Sequence, residues 1–350
     1  MLKINQDVAH NSDIHLDGML SNPQAIMSSQ TFKRISTGLP RLDERIGTGL
    51  GIGEQGMITA CPGVGKTTTL INFMDGAIET GSRSLFLTLE LAAYRIKHRY
   101  QALASGIDAR YFKVPVTQWP DHLLRMYNEI LDPERNKRFD YPAIVDMSKR
   151  SHTLDDVDRA IGMWKEHFVN KYGEEKTRCR GVYVDWLDKL NPSGLHISKN
   201  TREDVVLTKM NEALGELARK YGVAIWTATQ GTREADGQEV LQMKHTAYGY
   251  HKNDPLDVGL GIGVVFDESK VDNEGDLFPK DDSVDTLSSD SIDPEKLPPC
   301  KRDLMISITK NRDNPTGSFK VYQGKTLKFY GGRNEERTAE EHNSKKFGYS

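Results

Sequence analysis

The sequence predicts an α/β fold in which a mainly parallel, twisted sheet is covered by helices. Short, almost continuously apolar segments alternate along the chain with longer segments of helical character. Strands that are buried on both faces are expected to be apolar throughout, and helical crossovers connect parallel neighbours. The 350 residues have room for one large α/β domain or for two small ones.

The elements follow from these patterns in chain order. Strands are predicted at residues 56–60, 84–89, 143–147, 181–185, 223–229, 258–266 and 304–309. A C-terminal β-hairpin is predicted from residues 319–322 and 326–330, around Gly324. Helices are predicted at residues 66–80, 91–104, 154–172 and 203–221.

Composition divides the chain into a central domain and flanking segments. Residues 33–332 are predicted to form the domain, residues 1–32 an N-terminal arm or linker helix, and residues 333–350 a disordered tail. Residues 267–303 hold 12 acidic and 5 basic residues and are predicted to form a flexible insertion, leaving 42 basic and 38 acidic residues elsewhere. A modestly basic body is compatible with nucleic-acid binding, although the whole chain has a net charge of -3.

Several features bear on the compartment. The sequence has no apolar run of eighteen residues, and its N-terminus is polar, which predicts neither a membrane span nor a signal peptide. Three scattered cysteines (Cys61, Cys179, Cys300) lack metal-ligand spacing and favour a reducing environment. We therefore expect a cytoplasmic protein with no membrane partner.

A phosphate-binding loop is the strongest motif. The pattern [A/G]-x-x-x-x-G-K-[S/T] lies between a predicted strand and a predicted helix, a context that disfavours the alternative of a chance glycine-rich turn. Backbone amides of such a loop surround phosphates, while Lys66 bridges the β- and γ-phosphates and the Thr67 hydroxyl ligates Mg²⁺. The predicted nucleotide-binding residues are Ala60, Cys61, Pro62, Gly63, Val64, Gly65, Lys66, Thr67 and Thr68.

Polar residues at other strand ends are candidates for the rest of a P-loop ATPase site, because parallel strands bring their carboxyl ends to one edge. Asp185 closes an apolar run and is predicted to complete the magnesium site, with Asp146 as the competing carboxylate. Glu90 is predicted to polarise the attacking water, or else to stabilise a helix N-terminus. Gln230 is a candidate γ-phosphate sensor, or an ordinary polar strand end.

Lys310 and Arg312 follow a later strand. Two cations two residues apart point the same way on an extended chain. Phosphoryl transfer benefits from such charges, often supplied by a neighbouring subunit. The alternative is a solvated basic strand end.

Together these residues resemble the C-terminal motor domain of DnaB-like replicative helicases, a hexameric branch of the RecA-like ATPases. The likeness covers about residues 33–332. It is carried by the opening Ile35-Ser36-Thr37-Gly38-Leu39-Pro40-Arg41-Leu42-Asp43, the phosphate loop, Leu87-Thr88-Leu89-Glu90-Leu91, Val184-Asp185-Trp186-Leu187 and Thr309-Lys310-Asn311-Arg312-Asp313-Asn314-Pro315-Thr316-Gly317. The last stretch is similar to the family pattern K-x-R-x-G/N-P-x-G, in which the Lys and the Arg act in trans.

The resemblance implies an ATP- and Mg²⁺-dependent hexameric helicase that translocates on single-stranded DNA, 5′ to 3′, and unwinds duplex at a fork. It implies catalytic roles for Lys66, Glu90, Gln230, Lys310 and Arg312. Primase, a helicase loader and a polymerase are partners by analogy. The roughly thirty residues before the motor are too few to form a primase-binding domain. In this respect the chain is more similar to phage or mobile-element helicases, which act in a bacterial or phage-infected cell.

The family binds DNA through channel-facing loops, and the corresponding stretch here is residues 231–253. Its candidate contacts are Arg233, Lys244, Tyr248, Gly249 and Lys252. An ordinary surface loop is the alternative. Two other functions stay open at this point: a RecA/RadA-like recombinase, and a regulatory or scaffolding ATPase that does not move DNA.

Overall fold

The apolar segments form the strands of one mixed sheet, and two short strands pair beside it. A computed structural model describes residues 34–131, 142–149, 151–173, 178–195, 201–246, 250–265, 293–296 and 300–347. The strands are β1 (Arg34–Ile35), β2 (Leu50–Gly51), β3 (Gln55–Ala60), β4 (Arg83–Thr88), β5 (Pro142–Asp146), β6 (Cys179–Asp185), β7 (Ala224–Gln230), β8 (Val258–Val264), β9 (Arg302–Asn311), β10 (Gly317–Gln323) and β11 (Phe329–Tyr330).

The sheet is parallel in its larger part and antiparallel at one end. Within the described residues it has nine strands in the order β11-β10-β9-β8-β3-β7-β6-β4-β5, and β1 pairs with β2 separately. All pairs from β5 to β8 are parallel, whereas β8 to β11 form an antiparallel extension. The predicted α/β fold with a C-terminal hairpin is confirmed.

Helices cover both faces of this sheet. They are α1 (Pro40–Arg45), α2 (Lys66–Glu79), α3 (Ala93–Ser105), α4 (Asp121–Leu131), α5 (Leu154–Tyr172), α6 (Glu203–Tyr221) and α7 (Arg333–Phe347). Short 3-10 turns lie at Tyr111–Lys113, Val116–Gln118, Leu187–Lys189, Arg233–Ala235, Met243–His245, Tyr250–Asn253 and Pro294–Lys296. None of the helices in the described ranges is long and apolar enough to cross a membrane.

Alternate side chains of the central strands enter two different cores. Phe86 of β4 and Tyr183 of β6 pack with α2 and α3, while Leu87 of β4 and Val184 of β6 pack with α5 and α6. Because successive side chains of a strand point to opposite faces, a strand with two covered faces must be apolar throughout. This is the physical origin of the apolar runs.

The predicted bounds of α5 and α6 agree with the structure, because local end signals are strong. Thr153 and Asp156 form a capping box at the start of α5. Gly222 ends α6 in the left-handed conformation, with φ at 58°. The sequence did not predict α4, whose buried Leu123 and Met126 pack with Trp119 in a small separate core.

The C-terminal segment is a correction. The sequence predicted disorder over residues 333–350, but Arg333–Phe347 forms α7. Glu, Lys, Arg and Ala are good helix formers, and Glu335 and Glu336 lie in the first turn, where acids are favourable. Glu336 is buried, accepts a hydrogen bond from the Lys325 amide (2.8 Å) and pairs with Lys301, so it fixes the helix to the hairpin turn.

The flanking predictions are mostly untested. The arm at residues 1–32 and most of the acidic segment at 267–303 lie outside the described residues. The predicted C-terminal end of the acidic segment, residue 303, is corrected. Arg302 and Asp303 already belong to β9 and pair with Gln323 and Tyr322 of β10.

Candidate nucleotide site at the carboxyl edge of the sheet

The phosphate-binding loop connects β3 to α2. Every residue of β3 is buried, and α2 begins at Lys66. Gly63 (φ 75°) and Gly65 (φ 117°) are both left-handed, a conformation that L side chains rarely adopt. A Cβ atom on Gly65 would also lie 2.9 Å from Nη2 of Arg302, whose side chain would have to move, but the positive φ is the stronger reason for glycine at this position.

The Lys66 ammonium lies inside the loop. Its Nζ atom donates to the carbonyl oxygens of Ala60 (3.1 Å) and Cys61 (3.3 Å) and lies 5.3 Å from the ring centroid of Trp186. Burial lowers the pKa of Lys66, whereas the charges of Asp185 and Glu90 raise it. A partly buried cation with two carboxylates nearby is suited to binding a polyanion.

Thr67 and Asp185 meet at the start of α2. The Thr67 hydroxyl donates to Oδ2 of Asp185 at 2.8 Å, and Asp185 is 1% exposed. Burial raises the pKa of Asp185 to about 6; the Thr67 hydrogen bond acts in the opposite direction, and the charge of Glu90 adds to the rise. A hydroxyl and a carboxylate at this distance form an oxygen pair of the kind that Mg²⁺ prefers.

Asp146, the competing carboxylate, has a structural position. Its side chain accepts hydrogen bonds from the Ala93 amide (3.0 Å) and from the amide (3.0 Å) and hydroxyl (2.6 Å) of Ser148. These bonds, that of the Ser148 hydroxyl first, lower the pKa of Asp146 to about 2. Asp146 thus caps the N-terminus of α3, and β5 lies outside β4 at the end of the sheet.

Glu90 lies two residues beyond β4, next to the end of β6. The register pairs Thr88 with Asp185, and the Leu89 amide donates to the Asp185 carbonyl at 2.7 Å. Glu90 is exposed, and its charge raises the pKa of both Lys66 and Asp185. Arg99 of α3 acts on Asp185 in the opposite direction; the sequence motifs did not single it out.

Gln230 ends β7, the strand between β3 and β6. It pairs with Ala60 in register, and the Gly231 amide donates to the Ala60 carbonyl at 3.1 Å. The Gln230 amide also lies 3.4 Å from Oδ2 of Asp188, three residues after Asp185. Gln230 therefore lies beside the first residue of the phosphate-binding loop.

Lys310 and Arg312 lie at the opposite edge of the sheet. The register pairs Lys310 with Gly259 and Val258 with Gly56, which places both cations beside the start of β3. Lys310 donates to the carbonyl oxygens of Asn253 (2.8 Å) and Asp254 (2.7 Å), and Arg312 pairs with Asp257 (2.7 Å). The five residue steps from Gln55 to Ala60 correspond to roughly 16 Å along the strand.

The predicted DNA-binding residues divide into three groups. Arg233 and Lys244 are exposed on a loop whose base is closed by the bridge between Gly231 and Thr246. Tyr248 and Gly249 lie outside the described residues. The prediction for Lys252 is corrected: its side chain is 0% exposed and pairs with Asp188, so it offers no surface to a DNA phosphate.

Sequence reasoning missed Arg302, which supports the phosphate-binding loop. Its Nη1 atom donates to the Gly63 carbonyl (2.8 Å), and its Nε atom donates to Oε1 of Gln323 (3.0 Å). Gln323 is buried and donates in turn to the Cys300 carbonyl (2.6 Å). The signal was absent because Arg302 follows an acidic segment and belongs to no short motif.

The chain is similar to known replication proteins. A family model described as the DnaB-like helicase C terminal domain matches residues 34–243, more than half of the chain. The replicative DNA helicase DnaB of Mycoplasma pneumoniae is 27% identical over 222 residues, which are 61% of this chain and 42% of that protein. The match therefore spans less than half the length of the curated relative.

Two solved structures share the fold at low sequence identity. The ATPase domain of G40P has a TM-score of 0.62 at 14% identity and covers 88% of this chain and 93% of its own. A DnaB-like replicative helicase, solved with its interactions with primase, has a TM-score of 0.64 at 14% identity over 87% of this chain and 64% of its own. The fold is therefore RecA-like, and the chain belongs to the DnaB-like helicase family, which it matches through the C-terminal domain.

Proposed function

We propose that this protein is an ATP-driven helicase motor that moves along single-stranded DNA as a ring of identical subunits. The observation that carries the proposal is the separation of two complementary groups of residues. Lys66, Thr67 and Asp185 lie at one edge of the sheet, and Lys310 and Arg312 lie beside its other edge. Each subunit therefore has one half of a phosphoryl-transfer site and the other half of a second such site.

The first half would bind and activate ATP. The loop amides and Lys66 bind the phosphates, and Thr67 and Asp185 hold Mg²⁺, which neutralises phosphate charge. Glu90, exposed beside this pair, orients and polarises the attacking water as a general base. Gln230, in register with Ala60, is placed to respond to the γ-phosphate and leads directly into the loop that carries Arg233.

The second half would act on a neighbouring subunit. An arginine side chain extends about 7 Å, which is less than half of the strand length that separates Arg312 from its own phosphate-binding loop. Arg312 is 58% exposed on its side chain, so it is available to another copy of the chain. A patch that contacts a different patch on the next copy makes a head-to-tail contact, which closes into a ring when the rotation permits.

DNA would contact the loop that starts at Gly231. Arg233 and Lys244 are exposed there, and the Thr59 hydroxyl lies 3.1 Å from the Thr246 hydroxyl, beside the phosphate-binding loop. Cations that contact only phosphates bind a strand without regard to its sequence, as a translocating motor requires. The proposed partners are thus single-stranded DNA and further copies of the chain, with 5′-to-3′ polarity and a cytoplasmic location by family resemblance.

The test is unwinding of forked DNA by the protein with ATP and Mg²⁺. A helicase of this kind separates a fork that has a 5′ single-stranded tail and leaves the 3′-tailed fork intact, and its ATP turnover rises with single-stranded DNA. Particles imaged with ATP should be closed rings. Strand exchange by open filaments would instead identify a recombinase, and turnover that is indifferent to DNA would identify a regulatory ATPase.

A further inference from the structure

The buried lysine that failed as a DNA contact occupies an unusual position. Lys252 Nζ forms an ion pair with Oδ1 of Asp188. It also donates a hydrogen bond to the Thr229 hydroxyl (2.5 Å). Thr229 donates to the other Asp188 oxygen at 2.7 Å, so the three side chains form a closed set. Asp188 is 9% exposed, which makes this a buried ion pair with its hydrogen bonds satisfied.

Two of these residues come from the end of the nucleotide half-site. Thr229 directly precedes Gln230 in β7, and Asp188 follows Asp185 by three residues in the turn Leu187–Lys189. The loop that carries Arg233 and Lys244 begins immediately after Gln230. The ion pair therefore joins the strand that enters this loop to Lys252, which lies in the turn Tyr250–Asn253 farther along the chain.

The backbone around Lys252 leads to the other half-site. Its carbonyl accepts a hydrogen bond from Nδ2 of the buried Asn211 (2.8 Å). The next two carbonyls, those of Asn253 and Asp254, hold the Lys310 ammonium. The segment from Lys252 to Asp254 thus has two contacts. The Lys252 side chain binds Asp188 and Thr229 near the strand ends, and the backbone carbonyls of the next two residues bind Lys310.

We propose that Lys252, paired with Asp188, is a positioning residue that couples DNA on the Arg233–Lys244 loop to ATP hydrolysis. The inference rests on the proposed function, because it presupposes hydrolysis that DNA stimulates. A displacement of the loop moves the end of β7, and the ion pair passes that displacement to the segment that holds Lys310. A buried pair between two elements has one preferred geometry, so it transmits a shift rather than absorbing it.

The experiment compares ATP turnover with and without oligo-dT in the wild type, in Lys252→Met and in the double variant Lys252→Met/Asp188→Asn. Lys252→Met alone leaves a buried carboxylate without its cation and is expected to fold poorly. The double variant removes both charges and carries the test. Lys220→Met/Asp158→Asn is the control, because it removes another lysine–aspartate pair, a more exposed one between α5 and α6, away from the loop.

We expect the double variant to keep its unstimulated turnover and its nucleotide-free affinity for oligo-dT, while stimulation by DNA falls by about tenfold. The change in DNA affinity that a non-hydrolysable ATP analogue produces in the wild type should also be smaller in the double variant, and by reciprocity the change in analogue affinity that oligo-dT produces should shrink by the same factor. Lys220→Met/Asp158→Asn should retain both effects. This separation of basal from stimulated turnover distinguishes coupling from general structural damage.

Three results would overturn the inference: wild-type stimulation in the double variant, a proportional loss of basal and stimulated turnover, or weaker nucleotide-free DNA binding with full stimulation at saturating DNA. The last would restore Lys252 as a DNA contact. A wild-type protein that DNA does not stimulate is a different outcome, since it refutes the proposed function itself.

Discussion

The two edges of the central sheet differ in how firmly they hold their functional groups. At the carboxyl edge, Asp185 is buried and hydrogen-bonded to Thr67, and Lys66 lies within its own loop. At the opposite edge, Arg312 is mostly exposed and pairs with Asp257. The pair is open to solvent on the arginine side, where ion pairs contribute on the order of 1 kcal/mol, so Arg312 can leave Asp257, which keeps its hydrogen bond from the Gln55 amide. The first edge is preorganised within the chain, whereas Arg312 at the second edge is suited to exchange its partner.

Arg312→Ala is the strongest test of this difference. Nucleotide binding should persist because the loop, Lys66 and Asp185 are untouched. DNA-stimulated turnover should fall by on the order of 10³-fold or more, the usual effect of losing an arginine finger. Binding of a fluorescent ATP analogue and steady-state turnover are the two measurements. Normal turnover in Arg312→Ala would remove the trans role.

A structural role for Arg312 predicts a different pattern. If the residue served only to hold Asp257, then Asp257→Asn would reproduce the defect, whereas a trans role leaves Asp257→Asn active. Mixing two inactive variants gives a second check. In random rings of Arg312→Ala and Glu90→Gln subunits, about a quarter of the interfaces would join an intact Glu90 to an intact Arg312. Turnover can recover only if each site is built from two subunits. If each subunit contained a complete site, mixing the two variants would restore no activity.

Glu90→Gln should have the next largest effect, at the preorganised edge. The amide cannot accept a proton, so turnover should fall by about 10²- to 10⁴-fold. ATP affinity should stay within a few-fold of the wild type, as Lys66, Thr67 and Asp185 bind the nucleotide without it. Rapid quench of a single turnover measures the chemical step directly. A normal rate would reduce Glu90 to an acid at a helix N-terminus.

The carboxyl edge was largely predictable because its residues follow local rules. A buried strand, a glycine-rich turn and a helix specify the loop from Ala60 to Thr68 within nine consecutive positions. Asp185, Glu90 and Gln230 each end an apolar run, and parallel strands bring such ends together. In the structure Asp185 and Gln230 end their strands and Glu90 lies two residues beyond β4, and the roles of all three in hydrolysis stay predictions.

The failures concern contacts between distant parts of the chain. Lys252 lies in a polar stretch that predicts a surface loop, and only the fold brings Asp188 to it from 64 positions earlier. Arg302 and Gly63 are 239 positions apart. The packing of α7 depends on distant contacts in the same way. Glu336 contacts Lys301 and the Lys325 amide only when the hairpin has formed. Periodicity and motifs contain no information on such pairs.

Arg302→Met tests how far the preorganised edge depends on this distant support. The variant loses the hydrogen bond to the Gly63 carbonyl, so the loop should sample other peptide orientations. We expect the KM for ATP to rise roughly tenfold, the value of one charge-assisted hydrogen bond, with a smaller change in kcat. Arg45→Met is the control, since Arg45 also donates to a backbone carbonyl, that of Ser318, but away from the loop. An unchanged KM would show that the loop holds its own shape.

Asp146→Ala should have the smallest effect and separates the two carboxylates that the sequence left in competition. Loss of the hydrogen bond to the Ala93 amide should destabilise the fold by about 1 kcal/mol, as for other helix caps, and lower Tm by about 2 °C. The pKa of Asp146 lies near 2 in the folded protein against an ordinary value of 3.8. Its stabilisation is thus present above pH 3.8 and lost as the pH falls towards 2, so the stability difference between variant and wild type should shrink over that range.

Magnesium-dependent turnover of Asp146→Ala at neutral pH should be unaffected, whereas Asp185→Ala should abolish it. A loss of turnover in folded Asp146→Ala would transfer the magnesium role from β6 to β5.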